Sequence, residues 1–273
     1  IRFLRSERSD RFLSATTLVA VAGMAFGVAA LFISLSVIQG FQSAYKDSLL
    51  KFNSHLVLTK ADEMENPSDL VERRLPAALR EEMIGGNPFI YREGMMISGV
   101  ELRGIVVKGV DLEKFGNLSS MKIVSRPGLG KGGVLPPLFL GKDLIRRLGE
   151  STSEIRLLFP RTSKKGEIGS PRRFRIVGMF ESGLFEYDNN FAFLPLSEAQ
   201  KLFQMGKKVS RIELWLKDPD RAPYWVEKLQ KDFEFPYVVM SWRNINENLF
   251  KALEIEKLVF FILMFVLTAV ASL

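Results

Sequence analysis

The stretch Ser14–Ile38 reads SATTLVAVAGMAFGVAALFISLSVI and contains 25 residues without a charged side chain. An α-helix of that length rises about 1.5 Å per residue and reaches about 37 Å, which exceeds the ~30 Å hydrocarbon core of a bilayer. A buried core helix of a soluble domain is the alternative, but one this long and this poor in polar residues is uncommon. A removable signal peptide has an apolar region of only about 7–15 residues, followed by a small-residue cleavage site. We therefore predict a transmembrane helix at residues 13–40.

This predicted span has a small face and a bulky face. Gly23 and Gly27 are four residues apart, a spacing that lets a neighbouring helix approach closely. The bulky residues on the other side include Met24, Val28, Leu31 and Leu35. We predict that the two glycines pack against another helix and that the bulky face meets acyl chains of a substrate. Simple exposure of the bulky face to membrane lipid is the alternative.

Basic residues precede the span and predict its orientation. They are Arg2, Arg5, Arg8 and Arg11. Short basic flanks stay cytoplasmic under the positive-inside rule, whereas long domains are translocated largely regardless of charge. We therefore predict that residues 1–12 are cytoplasmic and that the residues after the span lie on the other side, which is the periplasm in a double-membraned bacterium. Arginines that only solvate a helix end are the alternative.

Amphipathic segments connect the span, and a second apolar run, to the rest of the chain. Apolar residues recur at helical spacing in residues 41–53 and again in residues 242–257, which predicts two stalk helices. The second stalk leads into LVFFILMFVLTAVASL at residues 258–273, and these 16 residues reach only about 24 Å as a helix. We expect a second transmembrane helix that is truncated by the end of the chain. Because the chain also begins at Ile1, we expect it to be a fragment of a longer polypeptide.

The residues between the stalks, 54–241, alternate between short strand and helix patterns. They predict a mixed α+β domain, expected in two lobes and inserted between the two transmembrane helices. A helix is predicted from Ser68 to Ile84, kinked or divided at Pro76 and stopped by residues 85–88. Paired strands are predicted at Phe89–Ser98 and Glu101–Val110.

The residue content offers little for catalysis. The chain has no Cys and one His, His55, whose apolar neighbours favour a structural role. A glycine cluster at residues 128–133 surrounds Lys131, but Gly132 follows where a Walker A loop has Ser or Thr, so we predict a flexible loop. The sequence also has no paired carboxylates, metal-spaced histidines or nucleophile elbow. We therefore predict no catalytic residue, no metal ligand and no cofactor bound by this chain.

A basic loop is the predicted partner-binding site. Residues 161–173 read RTSKKGEIGSPRR, with five basic residues and one acid between two predicted strands. Such a hairpin suits an acidic protein partner, because complementary charge speeds encounter and fixes register. Nucleic acid is disfavoured because the loop is predicted to lie outside the cytoplasm and lacks aromatic residues for stacking; a merely soluble turn remains the alternative. The residues proposed to bind the partner are Arg161, Lys164, Lys165, Gly166, Pro171, Arg172 and Arg173.

Seven short motifs are distributed along nearly the whole chain. They are GVAAL at 27–31, SVIQGF at 36–41, LGKDL at 140–144, FRIVG at 174–178, EYD at 186–188, AQKLF at 199–203 and NLFKAL at 248–253. In these motifs the chain resembles the LolC/LolE-type transmembrane subunits of bacterial lipoprotein-releasing ABC transporters, within the MacB/FtsX-like superfamily.

The resemblance implies a four-span, non-catalytic permease subunit of the bacterial inner membrane with its large domain in the periplasm. It also implies an ABC ATPase subunit that binds ATP and Mg, and a second permease subunit in a homo- or heterodimer. The substrate is then an acylated lipoprotein, passed to a periplasmic lipoprotein carrier by a protruding loop that residues 161–173 match in position. The alternatives are a MacB-type exporter subunit, an FtsX-like subunit that controls a cell-wall hydrolase, and a two-pass receptor without an ATPase.

Overall fold

A computed structural model describes residues 11–65, 67–99, 101–119, 121–125, 134–149, 151–160 and 170–272. The chain divides into two compact units, one of residues 47–245 and one of the residues that flank them. The glycine cluster at residues 128–133 and residues 161–169 of the basic loop lie outside the described residues, as do Arg2, Arg5 and Arg8.

The helices of the described residues are mostly short, apart from the first and the last. They are α1 (Arg11–Phe52), α2 (Pro67–Asp69), α3 (Ala77–Glu82), α4 (Leu112–Leu118), α5 (Lys142–Leu148), α6 (Phe185–Asn190), α7 (Leu196–Leu202), α8 (Ala222–Asp232), α9 (Trp242–Ile245) and α10 (Glu247–Ser272). A π-helix at Leu70–Arg74 follows α2, and a 3-10 helix at Pro219–Arg221 precedes α8.

The described strands form one mixed sheet. They are β1 (Leu56–Met64), β2 (Met83–Ser98), β3 (Glu101–Val110), β4 (Lys122–Ser125), β5 (Pro137–Gly141), β6 (Glu154–Leu158), β7 (Arg172–Glu181), β8 (Phe191–Pro195), β9 (Val209–Leu216) and β10 (Tyr237–Ser241). Their order is β10-β1-β9-β2-β3-β8-β5-β7-β4, and β6 pairs with β2 and β7 off this path. The β3–β8 and β5–β7 pairs are parallel and the other pairs are antiparallel. The predicted mixed α+β class is confirmed.

The sheet is packed on both faces, because successive residues of a strand point to opposite sides. In β8, Ala192 and Leu194 belong to an aliphatic cluster that α5 and α7 cover. Phe193, between them, belongs to an aromatic cluster that also contains Phe52 of α1 and Trp215 of β9. The two clusters are therefore separated by the sheet itself. The predicted division into two lobes is not confirmed, since residues 47–245 form one compact unit.

The helix predicted from Ser68 to Ile84 is wrong at its C-terminal end. The chain is helical on both sides of Pro76, which divides the segment, but it becomes extended from Met83 onwards. Residues 85–88, predicted to be a stop, lie inside β2 and pair with β9. A Cβ atom added at Gly85 would lie 2.8 Å from Cδ2 of Leu118, so this glycine allows α4 to approach the strand closely. Pairing with β9 therefore overrides the local turn preference.

The long helices α1 and α10 are the first and last helices of the described residues. Among the described residues, α1 is the one helix that is long and apolar enough to cross a membrane, and its apolar window is almost entirely exposed within the chain. The first turns of α10 carry charges, including an ion pair of 2.7 Å between Glu247 and Lys251. The second predicted span, at residues 258–273, is not confirmed. Both stalk segments are helical, except that the second is interrupted at Asn246 between α9 and α10.

Candidate functional site

Part of the predicted partner-binding loop is described at the start of β7. Pro171, Arg172 and Arg173 are exposed, and Arg173 forms an ion pair with Glu154 of the neighbouring strand β6. The remaining predicted loop residues lie outside the described residues: Arg161, Lys164, Lys165 and Gly166. Partner binding by this loop remains a prediction. In the part of the chain that the structure describes, no cluster of His, Asp or Glu could hold a metal ion.

The predicted helix-packing and lipid-facing residues all lie on α1. A Cβ atom added at Gly23 or Gly27 would meet nothing within 4 Å. On the bulky face, Met24 and Val28 are exposed, and two further members are half-buried: Leu31 and Leu35. Both faces of this part of α1 therefore have room for other molecules within the single chain. Their separate roles remain predictions. These residues and the loop residues belong to different units.

Phe52, the last residue of α1, is buried in the domain. Phe52 is 1% exposed, and its ring centroid lies 4.0 Å from that of Tyr187, 5.7 Å from that of Phe191 and 6.1 Å from that of Phe193. The next residue, Asn53, donates a hydrogen bond of 3.0 Å from Nδ2 to Oη of Tyr187. The helix therefore ends with an aromatic side chain inserted between α6 and β8.

His55 connects the end of α1 to two other elements. Its backbone N–H donates to the carbonyl of Leu214 at 3.1 Å, and its Nδ1 accepts a hydrogen bond of 2.9 Å from the backbone N–H of Leu216 in β9. Its carbonyl accepts a hydrogen bond of 3.0 Å from the N–H of Trp242, the first residue of α9. The indole Nε1 of Trp242 donates to the carbonyl of Pro219 at 3.0 Å. His55 thus holds the chain leaving α1, the end of β9 and the start of α9 together.

The strands next to these helix ends are paired with each other. Leu56 at the start of β1 is the partner of Ser241 at the end of β10. Ser241 also donates hydrogen bonds from its N–H and Oγ to Oδ1 of Asn244, at 3.0 and 2.6 Å, which fixes the start of α9. We call Phe52, His55 and Trp242, with these paired strand ends, the junction. The end of α1, the sheet and the start of α9 are therefore joined at the junction.

A buried ion pair lies beside Phe52. Nζ of Lys108 in β3 is 2.6 Å from Oε1 of Glu213 in β9, and the two side chains are 5% and 4% exposed. The pair crosses β2, which lies between those strands. Nζ of Lys108 also lies 4.8, 4.7 and 5.9 Å from the ring centroids of Phe89, Phe115 and Phe52. An ionic contact therefore forms part of the aromatic cluster that receives α1.

Burial acts on both members of this pair. Removal from water lowers the pKa of Lys108 and raises the pKa of Glu213, because desolvation penalises the charged forms. Their mutual attraction and hydrogen bond oppose both shifts. Sequence reasoning missed this pair, although a signal exists. Lys108 follows two valines in VVKGV, and Glu213 lies among apolar residues in IELWL.

We expect the domain to lose stability as the pH falls from about 7 to 5. Burial lowers the pKa of His55 below its ordinary value of 6.5, although the charge of Asp218 opposes the shift. The unfolded chain then binds a proton more readily than the folded chain. The stabilisation is present above pH 6.5 and is lost as the pH falls through the folded pKa, at up to about 1.4 kcal/mol per pH unit.

Urea denaturation of the wild type and of His55→Asn at pH 5, 6, 7 and 8 checks this expectation. The asparagine keeps a hydrogen-bond acceptor for the N–H of Leu216 but does not titrate in this range. Since His55 is the single histidine of the sequence, no other histidine contributes. An equal loss of stability in both proteins between pH 7 and pH 5 would contradict the role of His55.

The chain matches a family of periplasmic domains. The family model described as the MacB-like periplasmic core domain matches residues 17–232, well over half of the chain. The chain therefore belongs to the MacB-like periplasmic core domain family. The match begins in α1 and includes Phe52, Lys108 and Glu213.

Curated relatives give a more specific likeness. The lipoprotein-releasing system transmembrane protein LolC of Neisseria meningitidis serogroup B is 28% identical over 283 residues, which cover 100% of this chain and 66% of the relative. The LolC protein of Xylella fastidiosa (strain Temecula1) is 27% identical over 280 residues, with the same coverage of both chains. The resemblance to LolC/LolE-type subunits is confirmed. The chain spans about two thirds of the length of these relatives.

A solved structure of the periplasmic region of MacB from Actinobacillus actinomycetemcomitans also aligns with this chain. The TM-score is 0.41 at 12% sequence identity, and the alignment covers 72% of this chain and 93% of that one.

Proposed function

We propose that the chain is part of the permease subunit of an ABC transporter that extracts acylated lipoproteins from a bacterial inner membrane. Membership of the MacB-like family and the likeness to LolC proteins over the whole chain support this proposal. In the proposed protein, α1 is the first of several membrane spans and α10 leads into the second. The α+β domain lies in the periplasm, where it acts on the substrate.

The proposed subunit is not itself catalytic. A separate ABC ATPase subunit binds ATP and Mg on the cytoplasmic side, and a second permease subunit completes the pair. Residues 1–12 are cytoplasmic, and the segments 41–53 and 242–257 are the stalks. On the first span, Gly23 and Gly27 pack against another helix, while the face with Met24 and Val28 meets acyl chains of the lipoprotein.

The observation that carries the proposal is the junction. The helix α1 continues from its apolar part to Phe52 as one element, and Phe52 is buried in the domain. Movement of the helix would then be passed to the sheet at Phe52. ATP-driven closure of the spans would in this way change the arrangement of the periplasmic domain, as a rigid-body transition between two states.

A reconstituted release assay tests the function. We expect the full-length protein, purified with its ATPase and placed in liposomes with an acylated lipoprotein, to release that lipoprotein to a soluble carrier only when ATP and Mg are added. The control is the same complex with a hydrolysis-deficient ATPase. ATP hydrolysis without any release would overturn the proposal.

Deletion of residues 164–169 tests carrier docking separately. We expect the deletion to abolish capture of the carrier, because it removes Lys164 and Lys165, while α1 still inserts into the membrane. The measurement is co-purification of the carrier with the membrane complex. The matched control is Lys231→Ala, because Lys231 is exposed and forms its ion pair with Glu227 within α8. Undiminished capture by the deletion variant would refute docking by this loop.

A further inference from the structure

A polar cleft opens where β1 bulges away from β9. Thr59 of β1 pairs with Arg211 of β9, and Met64 pairs with Val209. Between these two pairs, β1 advances by five residues and β9 by only two. The extra residues of β1 bulge away from β9. One of them, Ala61, donates its backbone N–H to the carbonyl of Pro236 at 3.0 Å. The cleft has a volume of about 790 Å³, within the range of ligand sites in proteins. Bulges often re-aim side chains next to functional sites.

Several charged groups of the cleft neutralise one another. Glu63 lies 3.7 Å from Arg92 and 3.9 Å from Lys208, and Lys208 also lies 3.4 Å from Glu65. Arg92 additionally donates to Oγ of Ser210 at 3.2 Å. This network joins β1, β2 and β9 along one side of the cleft. It leaves these side chains with little unsatisfied charge for a ligand.

Two other cations of the cleft lack a carboxylate partner among the described residues. They are Lys60 and Arg211, and each lies over an aromatic ring. Nζ of Lys60 is 5.9 Å from the ring centroid of Tyr237, and Cζ of Arg211 is 4.8 Å from that of Tyr91. A ring orients a cation without neutralising it by a formal charge. Asp62 also lines the cleft and is exposed. The two cations remain available to a bound anion.

We propose that this cleft binds an extended peptide segment through acidic side chains, one held by Lys60 and another held by Arg211. The guanidinium of Arg211 matches a carboxylate with two parallel hydrogen bonds. The cleft is much larger than a single small anion, and its remaining lining offers charges of both signs and two tyrosine rings. A peptide can use such a lining along its length, whereas an isolated anion cannot. The lining of the cleft includes none of Phe52, His55 and Trp242 of the junction.

A peptide-binding measurement tests the site without ATP or lipoprotein. The probe is a fluorescent hexapeptide of alternating Glu and Ser, titrated with the full-length protein in detergent and followed by anisotropy. We expect saturable binding that weakens about tenfold when Gln replaces Glu in the peptide. Lys60→Ala and Arg211→Ala should each weaken binding of the Glu peptide about tenfold, because each removes a hydrogen bond to a charged group.

Lys228→Ala is the matched control. Nζ of Lys228 lies 5.1 Å from the ring centroid of Trp225 and 5.9 Å from that of Tyr224 in α8, outside the cleft. It should leave peptide binding unchanged. Because Arg211 lies in an interior strand, Lys60→Ala in the bulge provides the test if Arg211→Ala does not fold.

Two results would overturn the proposal. One is equal binding by the wild type and Lys60→Ala. The other is displacement of the peptide by inorganic phosphate at the same concentration as the peptide, which would identify a site for small oxyanions instead. Neither result depends on transport. Failure of peptide binding at the cleft can therefore be distinguished from failure of the proposed transport function.

Discussion

Lys108→Met is expected to lower the free energy of unfolding of the domain by about 3–5 kcal/mol. The substitution leaves the carboxylate of Glu213 buried, at 4% exposure, without the ammonium that lies 2.6 Å away in the wild type. An uncompensated buried charge costs far more than the net value of the pair that it replaces. Urea denaturation of the full-length protein, followed by tryptophan fluorescence, measures the change.

Two variants distinguish the buried charge from other causes. The double substitution Lys108→Met with Glu213→Leu should recover most of the loss, because apolar residues of similar volume often replace a buried pair without cost. Lys142→Met removes a second ion pair of 2.6 Å, with Glu181, but those side chains are 38% and 46% exposed. It should leave stability nearly unchanged. A double variant as unstable as Lys108→Met would contradict this explanation.

Phe52→Ala should both destabilise the domain and uncouple it from the membrane helix. Removing a fully buried phenylalanine costs about 3–5 kcal/mol, and here it also removes the contacts with Tyr187, Phe191 and Phe193. In the release assay we expect ATP hydrolysis to continue while lipoprotein release falls. The change in stability is measured by urea denaturation and the coupling by the ratio of lipoprotein released to ATP hydrolysed.

Phe41→Ala is the matched control on the same helix. Phe41 is 61% exposed within the chain, so its truncation should change the stability of the domain little. Phe52→Leu separates coupling from folding, because leucine preserves much of the buried volume but not the aromatic contacts. If Phe52→Ala released as much lipoprotein per ATP as the wild type, the junction would not transmit movement.

The sequence predicted those elements whose causes are local. The uncharged run at residues 14–38 predicts a helix without reference to any distant residue, and it lies within α1. The hairpin of β2 and β3 pairs in continuous register from Ser98 with Glu101 to Phe89 with Val110, as the neighbouring strand patterns predicted. The basic composition of residues 161–173 could be recognised without a fold. By contrast, residues 85–88 look like a turn and become strand only because β9 is present to pair with them.

The junction could not be predicted because its partners are distant in sequence. Phe52 lies in the predicted stalk at residues 41–53, but nothing near it in sequence indicates insertion beside Tyr187. Asn53 and Tyr187 are 134 residues apart, and Lys108 and Glu213 are 105 residues apart. The strands of Lys108 and Glu213 lie on either side of β2 in the sheet. Only the strand order determines that these charges meet.

The pairing of Leu56 with Ser241 also makes the domain modular. Directly opposed residues of an antiparallel pair have Cα atoms only about 4.5–5.5 Å apart. The chain therefore enters and leaves this domain at almost the same point, although 184 residues separate the two positions. A domain with such adjacent ends can be gained, lost or exchanged as a single insertion in a short loop. A two-residue bridge from position 55 to position 242 would span the same gap once the domain is excised.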